Sequence, residues 1–91
     1  MATLTVVSTT PINRTSTGDV VTAGCTLIGF YVNSTTGGTL VFRNGGSGGT
    51  VLNGTMTPAI GFHGFPANCP GGLHVTIANT IDVTFFVIVQ P

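Results

Sequence analysis

Lysine, glutamate and tryptophan are missing from this chain, and only four of its 91 residues are charged: Arg14, Arg43, Asp19 and Asp82. An average soluble domain is about a quarter charged. Nucleic-acid backbones are bound through clustered lysine and arginine. Two arginines set nucleic acid aside, and anionic membrane surfaces with it. A formal net charge of zero favours association over solubility as a monomer, so the surface suits a protein that lives against other subunits. Long apolar runs are missing too. The longest, "FFVIV" at 85–89, is far short of a membrane span. "MATLTVVSTTP" has neither the positive start nor the apolar core of a signal peptide. The expectation is a product that stays, or is assembled, where it is made. Without a secretory route, Cys25 and Cys69 give little reason to expect a disulfide, and their pairing stays open. The N-x-[ST] matches at Asn13, Asn33 and Asn53 are what chance gives in a chain so rich in Ser and Thr.

The scarcity of chemical groups argues against an enzyme. With no glutamate, a carboxylate pair for glycoside hydrolysis would have to be Asp19 and Asp82, and each is explained locally by its turn or strand start. Metal sites take three or four ligands. Cys25, Cys69, His63 and His74 offer no CxxC or HxxxH spacing. A Cys69 thiolate activated by His63 or His74 lacks an orienting partner. The glycine-rich loops lack the lysine of a phosphate-binding loop. No catalytic residue, metal or cofactor is expected.

What the chain does have is Gly, Thr and Val throughout, with nothing that reads as a helix. Strands are expected at "TLTVVS" 3–8, "CTLIGFYVN" 25–33, "TLVFRN" 39–44, "TVLNGT" 50–55, "TPAIGFHGF" 57–65, "GLHVTIANT" 72–80 and "DVTFFVIVQ" 82–90, with a polar turn region at 13–19. The second and third read as a hairpin turning at "STTGG". In 25–33, Leu27 and Tyr31 fall on one face and Ile28, Phe30 and Val32 on the other. Leu40 and Phe42 oppose Val41 and Arg43. Leu73, Val75 and Ile77 point inward, and His74, Thr76 and Ala78 outward. From Phe86 onward both faces of the last strand are apolar, so both are covered, the outer one by another subunit or by a loop. Ninety-one residues make one small domain. The expected fold is all-β: a small β-sandwich or jelly-roll-like barrel of six to eight short strands, oligomeric. Residues 1–24 form an N-terminal arm or edge strand and 25–91 the sandwich core.

The segment "GFHGFPANCPGG", 61–72, holds a histidine, a cysteine, two prolines and four glycines. The prolines stiffen it and the glycines permit close approach or positive φ. It reads as an ordered corner leading into the strand at 73. Phe62 and Phe65 cap a hydrophobic layer while His63 faces the other way, or the aromatic groups form a contact patch.

Three separated pieces occur in order: "NGGSGGT", "TPAIGFHGF" and "GLHVTIANTIDVTF". Over residues 25–88 this pattern resembles a group of small structural proteins of tailed bacteriophages, none of whose motifs is catalytic. The resemblance implies a capsid decoration (cement) protein, or a head-fibre or tail-associated subunit. It would be a homo-oligomer, typically a trimer, on the virion's capsid exterior, assembled in the bacterial host cytoplasm and touching the major capsid protein or another virion protein. The cysteines lie outside the pattern. Phe85, Phe86 and Ile88 are the candidates for core and intersubunit seam, and Tyr31, His63 and Phe65 for exposed contacts. The alternative is a carbohydrate- or receptor-binding module of a phage fibre. The lack of Trp and the single Tyr weigh against it, since sugar sites favour exposed aromatic rings.

Overall fold

A computed structural model describes residues 9–90; the strand expected at 3–8 lies outside them. The described residues contain no helix and six strands: β1 Thr10–Arg14, β2 Gly18–Val21, β3 Cys25–Asn44, β4 Thr50–Val51, β5 Gly61–Cys69 and β6 Leu73–Val89. All pairings are antiparallel. The fold is the expected all-β sandwich, built differently from the expected run of short strands.

Its frame is one long ribbon. β3 and β6 pair from Cys25↔Val89 to Asn44↔Leu73. Laid flat, Phe30 and Phe42 would be roughly 40 Å apart at about 3.3 Å per residue. Their ring centroids are 5.4 Å apart, so the ribbon is folded over on itself. The fold-over falls at Thr36–Gly38 opposite Asn79–Thr80. Thr36 and Gly37 both face Thr80, a β-bulge that raises the local twist. Gly37 and Asn79 take positive φ, 63° and 61°. A Cβ at Gly38 would run into the Ile81 side chain and the Thr80 carbonyl. "STTGG" is therefore a bend within one strand pair, not a hairpin turn. Small and polar residues allow the bend, and the partner of residues 25–44 is β6 because that register buries the apolar positions of both strands.

Folding the ribbon gives two layers. The first holds β1, the C-terminal half of β6, the N-terminal half of β3, and β5. The second holds β2, the other halves of β6 and β3, and β4. Residues 10–21 thus supply an edge strand to each layer. Beyond β4 the second edge continues through Asn53, whose side chain accepts from the Phe42 amide at 2.8 Å, to a bridge between Met56 and Leu40.

The core lies between the layers: Leu27, Phe30, Val32, Ile81, Val83, Phe85 and Val87 from the first, Val20, Leu40, Phe42, Leu73 and Val75 from the second. Phe42 is the knot. Its ring meets Phe30, Phe65 and Phe85 edge-on at 5.4, 5.0 and 5.5 Å, and each such pair contributes roughly 0.5–1.5 kcal/mol beyond burial. The expected facing of residues 25–33 is corrected by a bulge. Leu27 and Gly29 pair with consecutive residues of β6, Val87 and Phe86, so Ile28 is an extra residue. Alternation shifts there, and Leu27, Phe30 and Val32 share the core while Tyr31 faces out.

The segment 61–72 is corrected too. Residues 61–69 are a strand, and only Pro70–Gly71 make the turn. Pro66 is tolerated because β5 is an edge strand paired with β3 alone. Pro66 also sits at the bulge, where Phe65 and Pro66 together oppose Ile28.

Candidate interaction face

The two layers turn different outer faces to the surroundings. On the first layer the outward positions are Pro11 on β1, Phe86 and Ile88 on β6, Ile28 and Tyr31 on β3, and Phe62 on β5. Register places them side by side: Pro11↔Phe86, Gly29↔Phe86, and Tyr31↔Phe62. Tyr31 is 42% exposed and Phe62 57%; Phe86 and Ile88 are half-buried. Phe62 lies over Gly29, where a Cβ would come within 2.7 Å of its ring, and reaches Phe86 at 6.1 Å between centroids. Part of the reason for these rings is thus local: an aromatic covers the bare backbone of a glycine on the neighbouring strand. That cover still leaves an apolar strip across four strands.

One end of the strip is polar. Asp82 Oδ1 accepts from Asn13 Nδ2 at 2.6 Å and Asn33 Nδ2 at 3.1 Å. The Thr84 hydroxyl oxygen accepts from the same two amides at 3.3 and 3.0 Å. Thr84 is the direct cross-strand neighbour of Tyr31. Three strands, β1, β6 and β3, therefore hold one carboxylate, two amides and a hydroxyl beside an exposed phenol ring.

The second layer's outer face is different. Asp19, His74 and Arg43 lie in a cross-strand row. His74 Nδ1 is 2.9 Å from Asp19 Oδ1, and Arg43 Nη1 donates to the Gly49 carbonyl at 3.2 Å. His74 faces outward by alternation, as expected, yet is only 5% exposed. Loop 45–49 is tied back near it, with the Gly45 amide donating to the Gly72 carbonyl at 3.1 Å.

The six candidate contact residues do not form one patch. Phe85 is wholly inside, against Phe30 and Phe42, and cannot reach a partner. Phe86, Ile88 and Tyr31 share the first layer's outer face. His63 and Phe65 are on the inner side of β5. His63 stacks on Phe30 at 5.2 Å, with Nε2 2.8 Å from the Ala59 carbonyl, and Phe65 packs edge-on to Phe42. The period of two in a strand puts 63 and 65 together and turns 62 away. Taking 61–72 as a corner grouped Phe62 with Phe65 instead and left Phe62 off the face it belongs to. Its strand alternation, with exposed Gly64 and Pro66 on the same side, was the signal available.

Cys25 and Cys69 are direct cross-strand partners in the core, both thiols free. Burial, and then the neighbouring Cys69 sulfur, push the Cys25 thiol up to about 11; burial likewise raises Cys69. Neither has a histidine partner, and among the described residues no three of His, Cys, Asp and Glu converge as metal ligands. No pocket opens on the described surface. The arrangement offers contact over a face. Comparison with protein-family models, curated proteins and solved structures finds no match to the chain.

Proposed function

We propose that the chain is a structural subunit of a tailed-bacteriophage virion, a capsid decoration (cement) protein that binds the assembled shell through the outer face of its first layer. The observation that carries this reading is the apolar strip of Phe86, Ile88, Ile28, Tyr31 and Phe62 on a chain with almost no charge elsewhere. Large exposed apolar strips mark interaction surfaces, and the order of sequence pieces over 25–88 resembles the phage group. The work of such a protein is binding alone. Each copy removes apolar area from water, worth roughly 25 cal/mol per Å² before association costs, and a symmetric array multiplies a modest contact. The test is co-sedimentation of the purified chain with capsid shells of its own phage, with native mass spectrometry of the free chain. The expected result is pelleting with the shells and a trimer in solution. A folded chain that stays in the supernatant would overturn the reading.

The polar end of the same face supports a second reading, a carbohydrate-binding module of a fibre. A carboxylate braced by two amides beside an exposed tyrosine offers hydrogen-bond partners for sugar hydroxyls and a ring for a sugar face. A glycan array separates the two: saccharide binding that disappears in Asp82→Ala favours the module, and a blank array favours the capsid.

A further inference from the structure

We infer that Cys25 and Cys69 are a latent intramolecular disulfide, closed when the chain meets an oxidant of the small-molecule disulfide class, which staples edge strand β5 to β3. The register carries this. Cys25 and Cys69 are directly opposed across an antiparallel pair. Opposed residues have Cα atoms about 4.5–5.5 Å apart, inside the range of roughly 4.4–6.8 Å that disulfides span. Direct partners point to the same face, and both of these are fully buried on the inner one. Both side chains are cysteines of the same packed core cluster. No slip of one strand along the other is needed to bring the two residues face to face.

With glutathione disulfide as oxidant, one cysteine thiolate attacks a glutathione sulfur and releases one glutathione thiolate. The second cysteine thiolate then attacks the protein sulfur of the mixed disulfide and releases the other. One S–S bond breaks and one forms. The protein gives up two electrons and two protons, which end on two glutathione thiols. Burial keeps the thiols protonated and out of reach, so exchange proceeds when β5 opens or before it docks. β5 is the strand suited to this, since it pairs with β3 alone and Pro66 removes a donor from it. In a reducing cytosol the pair stays open; outside it, the pair closes. The staple then fixes the strand that carries Phe62.

The test is to unfold and refold the reduced wild-type protein with oxidised glutathione, then alkylate under denaturing conditions and weigh it. The expected product is a monomeric chain lighter by about 2 Da with no alkylation. Its melting temperature should be roughly 10 °C or more above that of the reduced chain, and dithiothreitol should abolish the rise. Cys25→Ala with Cys69→Ala should show no such shift. Two alkylated thiols, a glutathione adduct on each cysteine, a disulfide between chains, or closure that lowers the melting temperature would each overturn the inference. Mass on the wild type reads the outcome even if the variants do not fold.

Discussion

The outer faces of the two layers share the same two central strands, yet they differ in kind. On the first layer, β3 and β6 present Tyr31, Ile28, Phe86 and Ile88; on the second, they present Arg43, Val41, His74 and Thr76. The second layer satisfies its polar groups internally, with His74 held on Asp19 and Arg43 on the loop at 45–49. The first leaves rings uncovered. A face whose groups are already paired gains little from a partner. An apolar face gains by losing water. Under the proposed function, association falls to the first layer's outer face and the second layer's outer face serves stability, over a core common to both.

The largest effect should come from breaking what the faces share. Phe42→Ala removes the ring that joins both layers and should cost about 3–5 kcal/mol, read as a lower urea midpoint. Gly38→Val attacks the fold-over itself and should cost about 1–3 kcal/mol, as overpacking against Ile81 and Thr80 does in a filled core. A pH series above 9 acts on the cysteines of the first layer. Both cysteine thiols sit above their ordinary value when folded, so ionisation favours the unfolded chain. For Cys25 the stability contribution is intact below pH 9 and is lost as pH rises to about 11. Thermal melts of the reduced protein should fall across that window, and melts of Cys25→Ala should fall less.

On the second layer, Asp19→Ala leaves His74 without its partner and should cost about 1 kcal/mol with association unchanged. The smallest stability effect should be Phe62→Ser, within about 0.5 kcal/mol of the parent, yet this variant should lose shell binding in co-sedimentation. If Asp19→Ala weakened association and Phe62→Ser did not, the assignment of roles to the faces would be reversed.

The sequence was legible where local pattern and burial agree. Val and Thr in alternation, with no helix-forming run, set the all-β class. Leu40 and Phe42 against Val41 and Arg43, and Leu73 and Val75 against His74 and Thr76, hold in the structure because those stretches are regular ladder. Pattern misled at the irregular points. The Ile28 bulge moved Leu27 to the face of Phe30, a shift that depends on pairing with β6 and leaves no mark in residues 25–33. "STTGG" has the composition of a hairpin turn and also of a bend; which it becomes depends on the distant partner strand. Of the residues on the candidate face, Phe86 and Ile88 stood out in the both-face apolar pattern of the last strand, Tyr31 was named as a contact but grouped with Leu27, and Phe62 was lost to the corner reading.

The sequence alone determined an all-β chain, nearly without charge and poor in reactive groups, since composition and short-range alternation suffice for those properties. Tertiary structure decided that two of the six strands are long and folded in the middle and that Cys25 faces Cys69. It also decided that Phe62 joins Tyr31 and Phe86 while His63 and Phe65 turn inward. Each of these depends on register between residues far apart in the chain. Register is set by which pairing buries the most apolar surface with every backbone group satisfied, and no local window contains that information.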